Sequence, residues 1–248
     1  MPVEEGHGLA MSAVTVLNPK GQAPLVLTCE HASHFVPTEY DGLGLDAEQL
    51  VDHIGWDIGA RDIIQALVSR IDAAAILAGV SRLVVDCNRD LADDDLIVRE
   101  SHGTWIPGNA RIDDDERSRR IRDFYEPYHA AIDSVLDRRD QPFLLSIHSF
   151  TPILHGRERR FDVGILFDTS VAEAEDVAAT LTSEGLRVRF NEPYSALDGL
   201  IFSARTHGLR FGLRYVEIEI NNLLLREAAH IGRIAAVVAQ SMRRTLQC

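Results

Sequence analysis

Short β-branched runs separated by amphipathic stretches predict a three-layer α/β fold. Helices would cover both faces of a mainly parallel or mixed central sheet. Three observations carry this expectation. Apolar runs of strand length recur along the chain. Helical patterns lie between them and after the last. At 248 residues the chain suits one large domain and can bury roughly 70% of its unfolded surface without covalent staples.

The expected strands are Leu25–Thr28, Ala74–Leu77, Leu83–Val85, Phe143–Ile147, Val163–Phe167, Leu186–Phe190 and Tyr215–Ile220. Asp57–Ile71 carries Ile58, Ile63, Ile64, Leu67 and Val68 at helical spacing, and Glu116–Arg138 carries Ile121, Phe124, Tyr128, Ile132 and Val135. Val171–Glu184 reads as a helix stopped by Gly185, and Ala228–Leu246 as a closing amphipathic helix. Asp90–Arg111 lacks periodicity and holds Trp105, Pro107, Gly108 and Asn109, so a long functional loop is expected there; a second runs through Asn191–His207. Residues 1–12 read as a loose N-terminal tail and 13–248 as a single catalytic domain.

The formal charge of -13 argues against nucleic acid as the main partner, because phosphate contacts need Lys and Arg. Cys29, Cys87 and Cys248 are odd in number and widely spaced, so neither a disulfide framework nor a structural zinc site is expected. That usage fits a reducing, cytoplasmic setting. No apolar run approaches the roughly 18 residues of a membrane helix, and the first 23 residues lack a signal-peptide pattern.

In open α/β sheets, ligands bind beyond the carboxyl ends of the strands. The first expected strand runs into Cys29-Glu30-His31-Ala32-Ser33-His34, and Leu83–Val85 into Asp86-Cys87-Asn88-Arg89. The Phe143–Ile147 strand ends at His148-Ser149, and the last strand holds Glu217 and Glu219. His31 and His148 with one carboxylate would make a three-ligand zinc site, its fourth position left for water. Such an ion lowers the pKa of that water and polarises a carbonyl. For the third ligand the residues leave Asp57, Glu30 and His34 open. Asp57 would otherwise cap a helix. Glu30 neighbours His31 on an extended segment, where side chains alternate. Glu217 and Glu219 share one face of their strand, and one of them could carry a proton from water to a leaving nitrogen. Arg89, beside Asn88, offers a forked guanidinium to a substrate carboxylate; its competing role is a salt bridge within Asp93-Asp94-Asp95. Nucleophilic catalysis has weaker support, since neither an in-line Cys–His pair nor a GxSxG elbow is present.

TCEHAS (Thr28–Ser33), HIGWDIGA (His53–Ala60), SRLVVDCNR (Ser81–Arg89), SIHSFTP (Ser146–Pro152), NEPYS (Asn191–Ser195) and EIEINNL (Glu217–Leu223) stand in this order. Together they resemble the N-formylglutamate amidohydrolase family, over nearly the whole chain. The resemblance implies a zinc-carboxypeptidase-like α/β fold. It also implies hydrolysis of N-formyl-L-glutamate, or a similar small acidic N-acyl amino acid, to formate and glutamate, late in histidine breakdown. It places zinc or another divalent metal on His31, Asp57 and His148, and makes Glu219 the catalytic acid/base. Arg82, Asn88, Arg89, Asn191 and Ser149 fall at substrate-binding positions. Glu30-His31-Ala32-Ser33 and Asn221-Asn222-Leu223 depart from the commoner motifs and mark a divergent branch. The two long loops would set the choice between this substrate and another N-acyl amino acid or a terminal peptide bond. A ligand-binding relative without catalysis is the reading from outside the enzymes.

Overall fold

The computed structural model describes residues 12–154 and 156–246. The expected tail lies, but for Ser12, outside the described residues. The strands are β1 (Val14–Leu17), β2 (Leu25–Cys29), β3 (Ala74–Ala78), β4 (Glu100–Ser101), β5 (Thr104–Trp105), β6 (Phe143–Phe150), β7 (Ile153–Leu154), β8 (Arg157–Glu158), β9 (Val163–Leu166), β10 (Val188–Phe190) and β11 (Tyr215–Asn221). The helices are α1 (Ala47–Leu50), α2 (Ala60–Ile71), α3 (Asp114–Arg120), α4 (Glu126–Leu136), α5 (Val171–Ser183), α6 (Phe202–Phe211) and α7 (Ala228–Thr245).

Seven strands form one mixed sheet in the order β1-β3-β2-β6-β11-β9-β10. The central strands β3, β2, β6 and β11 run parallel, while β1 joins β3 and β9 joins β11 antiparallel. β6 is buried along its full length, which explains why FLLSIHSF shows no simple apolar–polar alternation. One face packs on α2, α5 and α7, the other on α4 and α6. Helix α2 turns Ala60, Ile63, Ile64 and Leu67 to the sheet and stops where Asp72 takes a left-handed conformation. The three expected layers are therefore present.

Some elements differ from the sequence reading. Leu83–Val85 is not a strand: Leu83 and Val84 lie in a turn and fill a satellite cluster with Leu43, Ile54, Val80 and Ile106, and Val85 follows as irregular chain packed on the sheet. An apolar run of strand length reports burial, and here the burial comes from packing outside the strand ladder. The expected loop Asn191–His207 holds the start of α6, whose few apolar positions give weak helical periodicity. β1 was not expected; it is a half-buried edge strand. The helix expected over Glu116–Arg138 is present as α3 and α4, joined by a π-helical turn at Ile121–Tyr125. Among the described residues no helix is long and apolar enough to cross a membrane.

Between α4 and α6 lies a partly buried chain of polar groups. His129 Nδ1 is 2.8 Å from His207 Nε2, and His207 Nδ1 is 2.9 Å from Asp133 Oδ1. Burial, then the neighbouring His207, holds His129 down at about 4. Below pH 6.5 an ordinary histidine in the unfolded chain takes up a proton that folded His129 refuses until about pH 4. Stability is therefore lost as pH falls through this window, by about 2 kcal/mol from this group between pH 7 and pH 5. Urea midpoints of the parent and a His129→Gln variant at the two pH values check this. A parent slope no steeper than the variant's would refute it.

Candidate metal centre and active-site cleft

The sheet face toward α4 and α6 changes character along the strands. Val26, Leu144 and Tyr215 form an apolar row across β2, β6 and β11. The next row is Thr28, Ser146 and Glu217. Beyond it Glu219 pairs in register with His148, and Glu30 follows β2 directly. Period-two alternation keeps these side chains on one face, so a single sheet surface turns from core into a polar cleft. That cleft, of about 160 Å³, is lined among others by His31, Asp57, Arg82, His148, Glu217 and Glu219.

His31, Asp57 and His148 are all buried and offer ligand atoms within 4.8 Å of one another. His148 Nδ1 stands 2.8 Å from Asp57 Oδ2, and His31 Nδ1 3.5 Å from Asp57 Oδ1. The opposite ring nitrogens are taken: His31 Nε2 meets Asp86 Oδ1 at 2.7 Å, and His148 Nε2 meets Glu30 Oε2 at 2.9 Å. A carboxylate on Nε2 fixes a ring tautomer that leaves the Nδ1 lone pair free for a cation. Both carboxylates are themselves held. Glu30 accepts from Tyr128 Oη and Ser146 Oγ at 2.7 Å each, and Asp86 accepts from Arg82 Nη2 at 2.6 Å and the Asn88 backbone N–H at 2.8 Å.

Asp57 is no helix cap. α2 begins at Ala60 behind Gly59, which makes no side-chain cap. Gly59 has φ +82°, and a Cβ there would meet Leu225 Cβ at 2.4 Å. Glycine thus permits a tight turn that frees Asp57 to face His148 and to accept from the Ser149 amide at 3.1 Å.

Burial opposes the ionisation of these acids, yet Asp57 is held low by both histidines, and Glu30 by His148, Tyr128 and Ser146. Glu217 and Glu219 go the other way. Burial pushes both well above the usual carboxylate range, only partly relieved by His148. One oxygen of each, Oε2, is buried with no hydrogen-bond partner. His148 with Glu217 and Glu219 forms a second cluster of converging ligand atoms. Five buried carboxylates around two imidazoles and Arg82 make a donor set that suits a divalent cation.

The remaining sequence candidates separate. Arg82 also stands 3.3 Å from His31 Nδ1. Arg89 lines the cleft, with a loose 3.9 Å contact to Asp93. Asn88 lines it too, but its amide accepts from the Ser203 N–H and donates to Leu200 O. Ser149 Oγ donates to Ile58 O at 2.9 Å. Asn191 is not brought to the cleft: its amide bonds Phe167 and Ala196 and closes a turn. His34 is exposed against the Trp56 ring, away from the cluster, and Glu30 lies behind His148 rather than beside Asp57. Sequence reasoning gave Asp86 no site role and missed Tyr194 and His53, which also line the cleft; of the two loop histidines it allowed as contributors, His102 lines the cleft and His207 does not. A buried Asp between an apolar run and Asn-Arg was the available signal for Asp86.

Comparison with known proteins bears on the fold and the family. A gene product of Agrobacterium tumefaciens of known structure is 35% identical and superposes with a TM-score of 0.92, covering 95% of each chain. An N-formylglutamate amidohydrolase from Ralstonia eutropha JMP134 shares the fold at 22% identity and a TM-score of 0.70, over 94% of this chain and 97% of that one. A search of curated protein sequences gives no match. The family model for N-formylglutamate amidohydrolase matches residues 23–226. With most of the chain matched, this protein belongs to the N-formylglutamate amidohydrolase family, hydrolases of amide C–N bonds.

Proposed function

We propose that the protein is a zinc-dependent amidohydrolase that cleaves N-formyl-L-glutamate to formate and glutamate, working on a free small molecule in the cytoplasm. The observation that carries this is the convergence of His31, Asp57 and His148 with both outer ring nitrogens engaged by carboxylates. His31, Asp57 and His148 would hold the ion through two imidazole nitrogens and one carboxylate, a donor set that zinc favours. When bound, such an ion polarises a carbonyl and makes water more acidic.

The chain's own residues supply the rest. Glu219, in register with His148 and unpaired at Oε2, takes the proton of the attacking water and passes it to the leaving nitrogen as the C–N bond breaks. Its raised pKa suits both halves of that transfer. Glu217 sits one row deeper, 3.5 Å from His148 Nε2. Arg89 faces the cleft without a tight partner and offers its fork to a substrate carboxylate.

The test is elemental analysis of the purified protein together with formate release from N-formyl-L-glutamate. About one zinc per chain with formate release is expected. Zinc without formate would move the substrate to another N-acyl amino acid, and no zinc after reconstitution would sink the mechanism. The outer carboxylates give a second check. Asp86→Asn should lower zinc affinity about 10- to 100-fold, because His31 loses the partner that sets its tautomer. A competition titration with a chelator reads this, and unchanged affinity would show that Asp86 only supports the fold.

A further inference from the structure

We propose that Arg159 determines specificity by pairing with the substrate's second carboxylate, so that the site selects N-acyl derivatives of acidic amino acids. The inference deepens the amidohydrolase reading and rests on it. Arg159 follows β8 and lines a depression beside the cleft, bordering the cleft itself through Phe150, Thr151 and Tyr194. Its guanidinium carbon stands 5.7 Å from the centre of the Phe150 ring and 5.2 Å from that of Tyr194. Both rings line the cleft, as does Thr151, whose carbonyl accepts from Arg159 Nη1 at 3.3 Å. The guanidinium is near enough for its charge to act on Glu219.

What distinguishes Arg159 is its lack of an acidic partner. Arg82 is committed to Asp86, and Arg160, next in sequence, to Glu158. Among the described residues none of the ion pairs involves Arg159. A guanidinium laid against two rings is already ordered and weakly hydrated, so it loses little on gripping an anion. The cleft is rich in buried carboxylates, which repel an acidic ligand unless cations at its rim compensate. Arg89 can compensate one carboxylate; a dicarboxylic ligand needs a second cation, and Arg159 supplies it. A neutral analogue leaves that charge without a carboxylate and is disfavoured for that reason.

The experiment is calorimetric titration of the full chain in zinc-containing buffer with L-glutamate and with L-glutamine, which carry no acyl amide to hydrolyse. The parent should bind glutamate at least about 10-fold more tightly. Arg159→Gln should erase that preference without weakening glutamine, and Arg159→Lys should retain part of it; circular dichroism confirms that both variants fold. Equal or undetectable binding of the two ligands by the parent overturns the assignment. So does a preference that survives in Arg159→Gln, or equal weakening of both ligands. Formate release measured in parallel keeps the two readings apart. A preference that depends on Arg159, with no formate from N-formyl-L-glutamate, would refute the reaction and leave the specificity residue in place.

Discussion

His148→Ala should strip the protein of zinc and reduce formate release to background. The ring sits at the junction of the site, with Nδ1 beside Asp57 and Nε2 between Glu30 and Glu217. Its removal takes away a ligand and also the ring that faces Asp57, Glu30 and Glu217. The loss of metal affinity should exceed the roughly 10- to 100-fold cost of deleting an outer partner. Leaving buried charges unpaired costs about 3–5 kcal/mol, so the urea midpoint should fall as well. His34→Ala is the matched control: that ring is exposed against Trp56, and zinc, activity and midpoint should all survive. A His148→Ala protein that keeps one zinc per chain and full activity would refute the proposed centre.

Glu219→Gln should separate chemistry from binding. The amide keeps the shape and cannot accept the proton, so kcat should fall about 10²- to 10⁴-fold. Zinc content and KM should change little, because Glu219 is not among the three proposed ligands. Glu217→Gln should cost less, since Glu217 pairs in register with Ser146, one row further into the sheet, while Glu219 pairs with His148. Single-turnover rates for both variants decide between them. A larger loss for Glu217→Gln would transfer the acid/base role to Glu217, and equal KM increases without a kcat change would remove both from proton transfer.

Much of the architecture was legible because burial leaves a periodic trace. β2, β3, β6, β9, β10 and β11 each coincide with an expected apolar run, and α2, α5 and α7 with expected helical spacings. Leu83–Val85 misled for the same reason: Leu83 and Val84 are buried against loops, and Val85 packs onto the sheet without joining it. α6 was hidden because a helix with few apolar positions looks like a loop to any periodicity argument.

The sequence by itself determined the layered α/β fold and the family, and it picked out the candidate site residues. The family followed from six short segments in order, and the candidates from polar residues at the ends of apolar strands, which stand out against their neighbours as His31, His148, Glu217 and Glu219 do. Only the tertiary structure decided how they are shared out. It joined Asp57 to two histidines that lie 26 and 91 residues away. It set Glu30 and Asp86 behind the rings, turned Asn191 into a turn-closing residue and left His34 outside. Spacing along a strand fixes which face a side chain takes, but strand order and register fix which side chains from distant segments meet. Those depend on the packing of the whole sheet.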